Sequence, residues 1–268
     1  MSVELVVALS SALVALSTAG MSAWWARRQS LLAAELDQQS AERLRQANRL
    51  DAMSRYRDPL LWSAFDLQTR IYNLAGGASP TGIRFLAQFH EGGSPRQRRY
   101  SLYSTLHRVA EYMGWVEIMR THIQFLDLGT HEDNRVIMNH IFTISSVFTS
   151  GDYEDEHLRI FRSDQRALGE LMIRREGDAV DCIGYAEFCA RMEQDDTFQA
   201  WFEELSQSLQ ELAGHDGPLP RLLDLRDALL ALINHLDPKH ERFPARFKSS
   251  LPPDVQARAD SRSGTGDS

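Results

Sequence analysis

The 268-residue chain reads as all-α: an N-terminal transmembrane helix and helical stalk, followed by a multi-helix bundle domain. Three observations predict this. The first is an apolar run near the N-terminus. The second is a stretch of good helix formers from Ala26 to Tyr56, free of proline and glycine. The third is a series of apolar stripes at helical spacing, divided by Gly, Pro and Asp breaks, from Asp58 onward.

The run from Val3 to Trp25 is VELVVALSSALVALSTAGMSAWW, with Glu4 as its only charge. As a helix it would cover roughly 34 Å, enough for a hydrocarbon core of about 30 Å. The hydroxyls of Ser10, Ser11, Ser17 and Thr18 can bond back to the preceding turn and do not prevent insertion. Trp24 and Trp25 stand where an interfacial aromatic belt is expected, and Arg27 and Arg28 follow. The positive-inside rule therefore leaves the N-terminus outside and carries the rest of the chain into the cytoplasm, as a single-pass protein of the inner (cell) membrane. The expected partner of residues 3–25 is the lipid bilayer. Two other readings remain open. A cleaved secretory signal would find small residues at Ala19-Gly20 and Ser22-Ala23 but lacks its basic leader, and a helix buried in a soluble core has the same composition.

Residues 26–57 read as a stalk. Leu32, Leu36, Gln39, Arg43 and Leu50 make too polar a seam for a regular coiled coil, which leaves homo-oligomerisation through the stalk as an option. The domain is assigned to residues 58–237. Asp58-Pro59 reads as an N-cap followed by proline at the first helical position, with Gly76-Gly77 as the stop. Leu60, Ala64, Leu67, Ile71 and Leu74 form its stripe. A short helix is expected near Ile83 to Phe89, then a loop at Glu91–Pro95 with Arg96, Arg98 and Arg99 at its exit. Tyr100 to Leu128 is the longest strongly apolar segment of the domain and reads as the central core helix, with stripes on two sides. Gly114 within it implies close passage of another helix. Further helices are expected at Asn134–Thr149, Asp155–Arg175, Cys182–Met192, Phe198–Ala213 and Leu219–Leu236. The segment Ile141–Phe148 has strand-like composition, but no second strand answers it. After Pro238 apolar density collapses, and residues 238–268 read as a disordered tail.

Composition excludes some functions. The formal charge of −8, from 29 Lys and Arg against 37 Asp and Glu, offers no basic field, so no nucleic-acid partner is expected. Only Lys239 and Lys248 are lysines, which matches a high-GC bacterial codon bias. Cys182 and Cys189 are seven apart, about 10 Å along one helix face, and read as buried thiols in a reducing compartment.

No Gly-x-Ser-x-Gly, P-loop, dinucleotide-binding glycine pattern, His-Glu-x-x-His or Cys-x-x-Cys occurs. Glu154 and His157 have the Glu-x-x-His spacing of di-iron centres, but there is no second copy. His215-Asp216 is set in a glycine- and proline-flanked turn. No catalytic residue, metal ligand or cofactor is assigned. The polar candidates are Glu117, Arg120, Gln124 and Asp127, within about 80° of arc on the central helix, and Asp66, Arg70 and Asn73 on the first. Together they can line a pocket or form a buried ion-pair network; the Glu117 set can equally be the single wet face of a mostly buried helix.

The blocks RDPLLWSAFDLQTRIYNL (57–74), YMGWVEIMRTHIQFLDLG (112–129) and FRSDQRALGELMI (161–173) resemble a group of uncharacterised bacterial membrane-associated proteins. The resemblance implies a membrane-associated protein and brings no activity. The functional expectation is a membrane-anchored binding module, acting as adaptor, scaffold or sensor with an unknown protein partner. The alternative is a membrane-tethered hydrolase or nuclease using carboxylates of the core helices.

Overall fold

The computed structural model describes residues 56–76, 85–90, 92–123, 131–154, 156–177, 179–215, 217 and 219–244, with scattered helical residues between 21 and 43. The chain divides into two units, Met1–Asp51 and Ala52–Ser268. In the first, Met21, Trp24 and Trp25 are exposed. The two indoles meet edge to face at 5.7 Å, and the Arg28 guanidinium lies 5.2 Å from the Trp24 ring centre. Most of the expected transmembrane span, and most of the stalk, lie outside the described residues. Among those described, no helix is long and apolar enough to cross a membrane.

The second unit is built of helices. Helix α1 covers residues 56–74, α2 is Phe85–His90, α3 is Pro95–Ile123 and α4 is His131–Thr149. Helix α5 is Arg162–Met172, followed by strands β1 (Ile173–Glu176) and β2 (Ala179–Cys182). Helices α6 (Tyr185–Gln194), α7 (Asp196–Ala200), α8 (Glu203–Ala213) and α9 (Pro220–Leu236) complete it.

The stripe predicted for α1 is the face it buries: Leu60, Ala64, Leu67, Ile71 and Leu74 are all inaccessible. Its stop is also as read, with Gly76 in the left-handed region at φ 91°. Its start differs. Residues 56 and 57 are already helical, so Asp58 is not an N-cap, and its carboxylate instead pairs with Arg242 at 2.7 Å.

Helix α3 is the central element, packed against α2, α5, α6, α8 and β2. It begins five residues before the expected Tyr100, because Ser94 and Gln97 form a reciprocal cap around Pro95. The Ser94 amide donates to Gln97 Oε1 (2.8 Å) and the Gln97 amide to Ser94 Oγ (3.3 Å). The close approach expected at Gly114 is present. A Cβ there would lie 2.6 Å from Cys182 Sγ and 3.0 Å from Met172 Cβ. Gly169 of α5 faces back, its missing Cβ 2.6 Å from the Met113 carbonyl oxygen.

Three expectations are corrected. The helix expected over Asp155–Arg175 is confined to Arg162–Met172. Residues beyond it turn into an antiparallel hairpin, Ile173 pairing with Cys182 and Glu176 with Ala179, around Gly177 at φ 60°. Cys182 is therefore on a strand and Cys189 on α6, not on one helix face. The segment Ile141–Phe148 lies within the helix expected at Asn134–Thr149, its branched residues serving as core: Ile137, Ile141, Ile144 and Phe148 are buried at helical spacing. The helix expected over Phe198–Ala213 breaks at Trp201-Phe202, where Phe202 turns inward onto Phe188 and Phe198.

Residues 238–244 are not a loose tail. Asp237 accepts hydrogen bonds from the amides of Glu241 and Phe243 (2.9 and 3.0 Å), which folds the chain back. Phe243 then stacks on Phe65 at 3.9 Å and meets Trp62 edge to face at 4.5 Å. Residues 245–268 lie outside the described residues.

Candidate functional site

Of the seven polar residues singled out by helical spacing, the five that are described fall into two separate groups. On α1, Arg70 is buried and has no carboxylate partner among the described residues. Its Nη1 donates to Thr105 Oγ1 (3.1 Å) and its Nη2 to Ser104 Oγ (3.0 Å), while its guanidinium lies 4.0 Å from the Phe85 ring centre. Burial, assisted by Arg108, lowers its pKa to about 10. The Asp66 carbonyl accepts from Arg108 at 3.1 Å. Asn73 accepts through its carbonyl from the Gly76 amide at 3.2 Å, closing the helix. On α3, Glu117 is buried and takes two hydrogen bonds from Arg120, one of them to Oε2 at 2.8 Å. No described hydrogen bond or ion pair joins the two groups. The reason is axial distance: Thr105, where Arg70 docks, and Glu117 are about 18 Å apart along α3. Gln124 and Asp127 lie outside the described residues.

Glu117 and Arg120 instead belong to a cleft of about 200 Å³ between α3, α4 and α5. Its apolar surface comes from Tyr112, Met113 and Val116 on α3 and from Met138, Ile141 and Phe142 on α4. Its polar surface is Glu117 and Arg120, with Ser145 on α4 and Arg162, Gln165 and Arg166 on α5. The helical frames explain the set. Tyr112, Val116 and Arg120 follow one row of α3 at four-residue steps. Arg162, Gln165 and Arg166 share one face of α5, which the two glycine contacts hold tightly against α3.

The electrostatics of this cleft are uneven. Glu117 is bound by Arg120 and has Arg166 at 3.9 Å, and Arg166 is also 4.0 Å from the exposed Glu170. Arg162 meets only neutral groups among the described residues: its Nη2 donates to Ser146 Oγ (3.2 Å), and its guanidinium lies 4.5 Å from the Phe142 ring centre. Gln165 is fixed by donating to the carbonyls of Ser145 and Ile160 and to Thr149 Oγ1. The Tyr112 hydroxyl is buried with no hydrogen-bond partner among the described residues, and burial pushes its pKa up, so it remains a donor.

A second titratable cluster lies where α3 meets α1 and β2. Burial, with Asp66 next and Asp181 adding a smaller push, raises the Glu111 carboxyl to about 7. His107 Nδ1 stands 3.7 Å from Glu111 Oε2, and His107 Nε2 faces the Ile183 carbonyl at 3.3 Å. A carbonyl can only accept, so Nε2 carries the proton and Nδ1 turns its lone pair toward Glu111. Burial lowers the His107 pKa. Cys182 is buried beside them, its thiol pushed up by burial and by Glu111, which makes it a core thiol and not a nucleophile.

No family model matches the sequence, and neither a curated protein nor a solved structure is similar to it.

The remaining sequence candidates are dispersed. Residues 154 and 156–157 are not helical, so Glu154 and His157 do not present ligands from one helix turn. The His157 ring instead meets that of His215 at 4.9 Å. His140 and His235 lie 5.5 Å apart between α4 and α9. Among the described residues no group of three or more His, Cys, Asp or Glu can hold a metal ion. Sequence reasoning missed Tyr112, Arg162 and Arg166 as site residues. The available signal was the pair of arginines four apart on an otherwise amphipathic helix, next to the exposed Phe161.

Proposed function

We propose that this chain is a membrane-anchored binding module. Residues 3–25 span the bilayer with the N-terminus outside, 26–57 form a helical stalk, and the helical domain binds on the cytoplasmic side through the cleft between α3, α4 and α5. One observation carries the reading: a concave apolar surface ringed by arginines from two helices. Support for the anchor comes from the apolar run, and from Trp24, Trp25 and Arg28 standing exposed at its end.

The reading is tested in two steps. The full chain and a form lacking residues 1–28 are fractionated, with protease added from either side of the membrane. Retention of the full chain through alkaline wash, with the domain protected from outside, supports the anchor; cleavage near Ala19–Ala23 and export defeat it. The cleft is then probed with a small-molecule fragment library on the full chain, and fragments that cluster away from α3, α4 and α5 defeat the second half.

The rival reading, a membrane-tethered hydrolase, draws on Glu111. A carboxyl brought near neutrality beside His107 suits general acid–base work. Loss of a hydrolytic activity in the Glu111→Gln protein, with the fold intact, would favour it.

A further inference from the structure

We infer that the cleft between α3, α4 and α5 takes a small amphipathic carboxylate. Its charge is held by Arg162 and Arg166, and its apolar body lies on the α3 and α4 walls. The inference rests on the proposal that this cleft is where the domain binds.

Charge comes first. Three arginines line the cleft against one carboxylate, Glu117, which Arg120 already occupies. Arg162 is bonded to a hydroxyl and stacked on an aromatic ring, so its positive charge has no counterion among the described residues. Arg166 stands 3.9 and 4.0 Å from its two acidic neighbours, beyond hydrogen-bond reach. The guanidinium is a planar fork that matches a carboxylate. A ligand carrying several negative charges fits poorly, because the buried Glu117 would repel it. With Glu117 and the neighbouring Glu170 counted against the three arginines, a single anionic group brings the set to neutrality.

Shape and polarity supply the rest. The walls are thioether, aliphatic and aromatic, from Met113, Val116, Met138, Ile141 and Phe142, so the body of the ligand is apolar. The cleft volume of about 200 Å³ is below the roughly 300–1,000 Å³ of pockets for drug-sized ligands, which limits the occupant to a short chain or a single ring.

The test uses the full chain in lipid nanodiscs with ¹³C-methyl methionine, because Met113 and Met138 report from inside the cleft. The probes are 3-phenylpropionate, the neutral 3-phenylpropan-1-ol and acetate. The expected result is a saturable shift of the Met113 and Met138 signals, with 3-phenylpropionate binding about ten-fold tighter than either of the others. In the Arg162→Gln/Arg166→Gln protein, both changes being at exposed positions, the preference for the acid over the alcohol should fall to near one. If the alcohol and the acid shift the same methyls with equal affinity, the carboxylate assignment is wrong and the binding cleft stands. If neither moves Met113 or Met138 in a folded protein, the binding cleft itself is wrong.

Discussion

Replacing Gly169 by alanine tests the packing that creates the cleft. A Cβ at this position would lie 2.6 Å from the Met113 carbonyl oxygen, 3.0 Å from its carbon and 3.2 Å from Glu117 Cβ. Ordinary contact begins near 3.4 Å, so α5 must retreat from α3 by roughly 0.8 Å, and the obstacle is backbone that cannot rotate away. A radial gap of that size forfeits a quarter to a half of the dispersion well for the atoms it separates. Overpacking of this kind costs typically 1–3 kcal/mol, and the fixed obstacle places it at the upper end. Alanine returns about 1 kcal/mol in helix propensity. The expected net is destabilisation by about 2 kcal/mol, seen in urea unfolding of the full chain followed by tryptophan fluorescence, with a midpoint in heat lower by roughly 4–8 °C. Gly92→Ala is the control, since its Cβ would meet nothing nearer than 4.0 Å. A Gly169→Ala protein within about 0.5 kcal/mol of the parent would refute the close-approach argument.

Further outcomes are expected. Burial holds Glu111 near 7 in the fold against an ordinary 4.5, so its neutral form is the stabilised one. Its contribution is full below about pH 4.5 and is lost as pH rises to about 7, on the order of 2–3 kcal/mol. His107, lowered by burial, slopes the other way, losing stability as pH falls below its ordinary 6.5. Glu111→Gln should thus remove the decline between pH 4.5 and 7 in a denaturation series, and an unchanged profile would sink the assignment. Arg221 is buried, and its Nη1 donates to the carbonyls of Val147 (3.0 Å), Phe148 (3.3 Å) and Ser150 (2.9 Å), closing the end of α4. Arg221→Met should cost about 2–4 kcal/mol by calorimetry, and a loss under 1 kcal/mol would contradict the capping role. Phe243→Ala should free the C-terminal fold-back, destabilising by about 2–3 kcal/mol and speeding tryptic cleavage after Arg242; unchanged cleavage would show that Asp237 alone holds the segment. Iodoacetamide should label the half-buried Cys189 well before Cys182 in native protein, and equal rates would contradict the burial of Cys182.

Much of the helical architecture was legible in the chain because periodic burial is a local signal. The stripe from Leu60 to Leu74 needs only a 3.6-residue repeat, and Gly76 stops it by its own backbone freedom. Gly114 marked a close approach without naming what came close. That answer, Cys182 and Met172, depends on a hairpin four residues deep on each strand, too short for alternation to separate it from the end of α5. The polar candidates show the same limit. Spacing put Glu117 and Arg120 on one face and Asp66, Arg70 and Asn73 on another, but which helix meets which face is decided by packing. The fold gave Arg70 to two hydroxyls and a phenylalanine ring, and gave Glu117 to arginines of α3 and α5. By itself, then, the sequence determined the helices, their apolar faces and the absence of a local catalytic motif. Only the tertiary structure could bring Tyr112, Arg162 and Arg166 around one cleft, because they come from segments about fifty residues apart and carry no mark of their meeting until three helices pack.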